Sequence, residues 1–195
     1  MSTSEEHKQT SRYTMPTVKA QDMKIKGPID HQISEVIDFI LMETKDEESP
    51  SFVQYPKKAL REAVVNAFYH RGYESEHCDP VKVRIHTTHI DIISYPGPHQ
   101  SLKPSHFLEG SDFPPVRTRN RRIGEFLVSK KLAEEKGTGV RTIFRSMKQN
   151  GNFTPAFVFD ETYFRVRLPR HPNFMVRKIL QLTTTLKGRG EKRMA

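Results

Sequence analysis

Between Tyr55 and Arg71 the chain reads YPKKALREAVVNAFYHR, a run whose spacing predicts a single helix with two different faces. Pro56 suits the first helical position, where a missing N–H costs nothing. At about 100° per residue, Leu60, Ala63, Val64, Ala67 and Phe68 form an apolar stripe broad enough to lie on a sheet. Glu62, Asn66 and His70 stand opposite, spaced i, i+4, i+8. A carboxylate, a carboxamide and an imidazole on successive turns can meet one ligand together, on backbone that is already hydrogen-bonded. That set suits a metal–nucleotide site, and the same spacing also describes an ordinary solvated helix face.

The segments around this helix supply layers for it to pack against. Ile29, Ile33, Val36, Ile37, Ile40 and Leu41 recur at helical spacing and predict a first amphipathic helix, which breaks at KDEESPSF. After the loop GYESEHCDP, Val81, Val83 and Ile85 alternate with polar residues, and Ile90 and Ile92 do so again beyond Thr87-Thr88. That is a β-hairpin with one buried face. The next 27 residues, YPGPHQSLKPSHFLEGSDFPPVRTRNR, hold five prolines and no sustained period, and a connection that long is usually functional or mobile. Ile123 to Leu132 predicts a short helix. Gly137-Thr138-Gly139 opens another, with Val140, Ile143, Phe144 and Met147 on one face and Asn150-Gly151 as its stop. A glycine-containing turn at a helix N-terminus offers backbone N–H groups to phosphate oxygens. Ala156–Phe159 and Tyr163–Leu168 predict a second hairpin, Val18–Ile25 a faint edge strand, and the run after Pro169 a short helix.

Three bounds follow from composition. A chain of 195 residues supports one core, and a mean hydropathy of −0.67 with 35% hydrophobic residues is low but still globular. A single cysteine, Cys78, excludes an internal disulfide framework. With no apolar run long enough for a signal peptide or a membrane span, the expected setting is intracellular and soluble, nucleus and cytoplasm not distinguished, with no membrane partner. The formal net charge of +9 is unevenly placed. Residues 1–116 hold 13 Lys and Arg against 17 Asp and Glu, residues 117–164 hold 10 against 5, and residues 165–195 hold 9 against 1. The basic second half can attract phosphate backbones without reading sequence, or can simply be solvated.

Taken in order, ALREAVVNAFYHRGY, HIDIISYPG, RTRN and AEEKGTGV resemble the GHKL-type, Bergerat-fold ATPase-like domain named for the C-terminus of RecG-like ATP-dependent DNA helicases. In its relatives that domain usually follows a Schlafen/AlbA-type DNA-binding domain. The resemblance covers roughly Gly27 to Pro169. It implies that Glu62 and Asn66 correspond to the N-box residues that position the attacking water and bind Mg²⁺. It also implies that His70 and Arg71 are the subfamily's HR pair, that Pro96 and Gly97 occupy the first glycine motif, and that Gly137, Thr138 and Gly139 occupy the second. Glu134 and Arg119-Asn120 match further subfamily positions. The wider class carries an aspartate in its first glycine motif, DxGxG, to accept the adenine amino group. This chain reads SYPGP there, and its nearest acid is Asp91, inside the strand.

The reading is an α/β (α+β) two-layer sandwich, with helices on one face of a mixed, mostly antiparallel, GHKL/Bergerat-like sheet. Residues 1–27 form a weakly structured leader, 28–169 the domain, and 170–195 a basic tail. ATP and Mg²⁺ are the expected cofactors, with Glu62 as the catalytic base, Asn66 as the Mg²⁺ ligand, and residues 98–137 as a lid. Binding is expected ahead of hydrolysis, in a nucleic-acid-linked or transcription-regulatory process, with an AlbA-type domain acting in trans as a further partner. The alternative is an inactive scaffold that binds nucleic acid or protein through the basic half, including Arg117, Arg119, Arg121 and Arg122. A metal set drawn from His70, His77, Cys78, His86 and His89 has no CxxC pair, and surface histidines are the ordinary outcome. The absence of a Walker-type GKT and of a GxSxG elbow excludes a P-loop and an α/β-hydrolase nucleophile.

Overall fold

In the structure, a computed structural model that describes residues 23–46, 53–74, 79–133, 138–174 and 176, the Glu62 helix is the most enclosed of the α-helices among the described residues. It runs Lys57–His70 (α2), with Pro56 as the residue before it rather than its first turn. Eight of its residues are buried, among them Glu62. The expected division into an apolar face and a wet face therefore gives way to a helix covered nearly all round. Helix α1 (Ile29–Glu43) turns Ile33, Ile37 and Ile40 onto it. Helix α4 (Gly139–Asn150) packs along it with Ile143 and Met147, and strand β2 lies beneath. Helix α3 (Arg121–Ser129) contributes Leu127, and Lys130 just beyond it reaches Asp30 of α1 at 3.0 Å.

Strands β1 (Lys82–Ile85), β2 (His89–Ser94), β3 (Ala156–Phe159) and β4 (Phe164–Pro169) form one sheet in the order β1-β2-β4-β3. The mostly antiparallel sheet expected from sequence is antiparallel in every pairing among the described residues. The fold is α+β, with α1 to α4 on one face of the sheet. Alternation decides what that face receives. Val83, Ile85, Ile90, Ile92, Val166 and Leu168 join the core. Their neighbours Arg84, Asp91 and Arg167 pair across three strands on the other face. There Arg167 donates Nε and Nη2 to the two Asp91 carboxylate oxygens, both at 2.8 Å. Burial works against the Asp91 charge, but these bonds and the Arg167 charge prevail and hold its pKa below the ordinary value.

The element ends match their sequence signals closely. Gly151 closes α4 in the left-handed region at φ 82°, a conformation glycine adopts without a Cβ penalty. Asn152 then ties the loop before α2 to the end of β4, donating to Gln54 O at 2.9 Å and Pro169 O at 3.0 Å. The expected edge strand at Val18–Ile25 falls largely outside the described residues, and Met23–Ile25 are not in a strand. The helix expected after Pro169 falls for the most part outside them too. Among the described residues no helix is long and apolar enough to cross a membrane.

Candidate functional site

Helix α2, the end of β2 and the start of α4 converge on a cavity of about 870 Å³ whose outer wall is the proline-rich segment after Gly97. Glu62, Asn66, His70, Pro96, Gly97, Thr138 and Gly139 all line it. Of the residues singled out from sequence, Gly137, Glu134, His77 and Cys78 lie outside the described residues. The first residue of α4 is closely packed. A Cβ built on Gly139 lies 2.8 Å from Asn66 Nδ2 and 3.0 Å from Glu62 Oε2, so a larger residue here would require those side chains or the helix to shift. The first N–H groups of a helix have no intrahelical acceptor and carry the positive end of its dipole. Here Thr138, Gly139 and Val140 bring that end to the cavity wall beside a carboxylate and a carboxamide. Oxygens of those two kinds suit Mg²⁺ beside phosphate and water.

Gly97 is held for a different reason. Its N–H donates to Glu161 O at 3.0 Å, and a Cβ on it would overlap the Asp160 carbonyl in the β3–β4 turn. The peptide bond between Tyr95 and Pro96 is cis. The Gly97 contacts seat the turn after β2 directly on the second hairpin. Asp91, the acid nearest that turn in sequence, projects from the opposite face of the sheet to Arg167 and away from the cavity.

The outer wall is pinned at both ends. Within it Pro104–Phe107 forms a 3-10 turn that drives Phe107 into the sheet, with ring centroids 5.0–5.6 Å from Phe113, Phe157, Phe159 and Phe164. Ion pairs from Asp112 to Arg141 and from Glu109 to Lys148 link the same stretch to α4. At the far end, Arg119 donates to His70 O at 2.7 Å and Gly97 O at 3.3 Å. Asn120 Nδ2 donates to Tyr69 O at 2.7 Å and Arg71 O at 2.6 Å. These are carbonyls at the C-terminus of α2, where a helix has acceptors to spare. The Arg119-Asn120 pair is thus a clasp for α2, which sequence order alone does not show. Arg121 is engaged by Glu125 at 2.9 Å.

His70 keeps an exposed surface, but that surface faces the cavity between α2 and its outer wall. Surrounding protein disfavours its charged form, the Arg119 guanidinium adds repulsion, and the imidazole pKa falls to about 4. At neutral pH it is an uncharged donor–acceptor on the cavity wall.

Residues 79–168 match the family described as "Putative ATP-dependent DNA helicase recG C-terminal". The match covers β1 to β4, so this stretch is similar to the ATPase-like domain of that family, while α2 lies outside the matched residues. Among solved structures, the chain is similar to the DIP2311 protein from Corynebacterium diphtheriae at TM-score 0.62 and 18% identity, over 74% of this chain and 28% of that one. That likeness extends to the fold. No curated protein matches the chain.

Proposed function

We propose that the RecG C-terminal-type domain binds ATP with Mg²⁺ in the α2–α4 cavity, as a domain of the Schlafen/AlbA-associated kind that uses the nucleotide more as a conformational ligand than as a fuel. One observation carries the reading: Glu62, Asn66 and the Gly139 start of α4 meet at one point on the wall of a large, mainly apolar cavity. A base needs a fixed spatial relation to its water, and phosphate oxygens suit a helix N-terminus beside a cation ligand; Glu62, Asn66 and the first turn of α4 stand together there. Glu62 would position or deprotonate water, Asn66 would hold the cation, and the first turn of α4 would take phosphate oxygens. Bound Mg²⁺ would supply charge neutralisation on the phosphates. Pro96, Gly97 and His70 would border the ligand on the sheet side. With Asp91 directed away, adenine would be held without the wider class's aspartate, which favours binding with loose base specificity.

The test is thermal unfolding with Mg²⁺ and ATP, ADP or GTP, beside Glu62→Ala/Asn66→Ala. Ligand at about a hundred times its Kd adds roughly 2.7 kcal/mol, a shift of several degrees. Stabilisation of the parent and not of the variant supports the reading; no shift by any nucleotide in the parent sinks it.

A second reading rests on the open face of the sheet. Lys82, Arg84, Arg165 and Arg167 share it, with Lys82 Nζ 4.8 Å from the Tyr95 ring centre and Arg165 Cζ 5.9 Å from that of Tyr163. Basic side chains interleaved with aromatic ones suit single-stranded nucleic acid. Binding measured by fluorescence anisotropy should then weaken steeply with salt and with Arg84→Ala/Arg165→Ala. A salt-independent affinity would remove this reading and leave the nucleotide site untouched.

A further inference from the structure

On the open face of the sheet, at the opposite end of β2 from the nucleotide cavity, the sequence His86-Thr-Thr-His89-Ile-Asp91 closes on itself. His89 and Asp91 lie two residues apart on one strand and therefore on one face. The tight hairpin brings His86 beside them, with its N–H donating to His89 O at 2.8 Å. The two histidine Nε2 atoms approach a single oxygen, Asp91 Oδ2, at 3.7 Å from His86 and 3.6 Å from His89. One ligand atom from each of the three residues can be chosen so that all lie within 4.8 Å of one another.

Three features suit these atoms to a cation rather than only to each other. Ligands in a tetrahedral zinc site stand roughly 3.3 Å apart when each bond is about 2.0–2.1 Å, close to the separations here. The His89 Nε2 is buried and makes no hydrogen bond, while its Nδ1 sits 2.8 Å from Thr88 Oγ1. With Nδ1 donating to that hydroxyl, Nε2 presents its lone pair toward Asp91, the ring arrangement that a second partner normally fixes in metal sites. Finally, Arg167 grips the Asp91 carboxylate from the neighbouring strand and sets its plane.

We propose that His86, His89 and Asp91 form a binding site for a divalent transition cation of the zinc class. Two imidazoles and a carboxylate are a donor set for Zn²⁺, Co²⁺ or Ni²⁺, with water completing the shell. The His86 and His89 rings stack at 4.3 Å between centroids, so coordination turns the exposed His86 ring out of that stack. The Arg167 charge opposes the cation, which weakens its binding relative to a structural zinc site. Bound metal would staple the turn of the first hairpin to the middle strands. Because Ser94 stands five positions along β2 from His89, at about 3.3 Å per position, this site is distinct from the nucleotide cavity.

Titration calorimetry of the full chain with ZnCl₂, and visible absorption with CoCl₂, test the proposal. The expected result is one equivalent of Zn²⁺, a cobalt spectrum, and a loss of at least tenfold in affinity in each of His86→Ala and His89→Ala. His31→Ala on α1 should bind as the parent does, and so should Glu62→Ala/Asn66→Ala. Asp91→Asn extends the series, while the two histidine variants carry it if that protein fails to fold. Binding no tighter than millimolar in the parent, or undiminished binding in His86→Ala/His89→Ala, overturns the site. Loss of Zn²⁺ in the Glu62→Ala/Asn66→Ala protein would place the metal in the cavity and overturn it as well.

Discussion

Gly139 and Asn66 occupy adjoining space that admits no additional atom: a Cβ on the glycine lies 2.8 Å from the carboxamide nitrogen. The contact is between side chain and backbone of two helices 73 positions apart in sequence. It fixes both the polar pair on α2 and the first turn of α4.

Gly139→Ala should therefore push α4 off Asn66 and Glu62. Overpacking at such a contact costs typically about 1–3 kcal/mol, enough to lower the urea midpoint while the fold survives. The nucleotide-dependent rise in Tm should vanish in this variant even under conditions where it remains fully folded. An unchanged ligand response would show that α4 does not need this approach.

Asn120→Ala tests the clasp on α2. Its side chain holds the Tyr69 and Arg71 carbonyls, and removing two partly buried hydrogen bonds should cost about 1–3 kcal/mol. Urea unfolding measures it. A loss within about 0.5 kcal/mol, as at ordinary surface positions, would mean that water replaces the amide without penalty.

Stability should depend on pH through His70. Its folded pKa of about 4 lies below the unfolded value of 6.5, so the unfolded chain binds more protons between those limits. The contribution is then complete above pH 6.5 and is lost as pH falls toward 4. Between about pH 7 and pH 4.5 the parent should lose more stability than His70→Gln. Arg119→Ala, by taking away the second cause of the shift, should raise the His70 pKa in a proton NMR titration. It should stay below 6.5, because burial is the larger cause.

Phe107→Ala should free the outer wall. Truncating a buried phenylalanine costs typically about 3–5 kcal/mol, but here the ring anchors a segment rather than the core, so part of that cost is local. Hydrogen exchange should quicken across residues 98–117 while amides of α2 and β2 keep their protection. Uniform loss of protection would mean that the wall and the core open as one.

Much of this was legible from residue order. The polar spacing on α2, the alternation in both hairpins and the glycine after α4 each encode a local geometry that packing did not override. What escaped depended on distance along the chain. Periodicity placed Glu62 opposite the apolar stripe, but not beneath α4, so its burial was invisible. The arginines around residue 119 read equally as a contact for nucleic acid or protein and as solvated charge, whereas Arg119 serves carbonyls 22 and 49 positions away. Likewise His89, expected on an exposed turn, is largely covered, because strand register rather than composition sets it beside Asp91 and Arg167.

Helix α2 is enclosed by α1, α4 and β2, and it also carries the proposed ligand-facing groups. A ligand held by those groups is bound to the core helix itself. A nucleotide gripping Glu62 and Asn66 should register in the slowest-exchanging amides of the molecule, those that open only on global unfolding, and not merely in loops around the cavity. Whatever partner reads the bound state would then sense the survival time of the whole domain as much as any change in its shape.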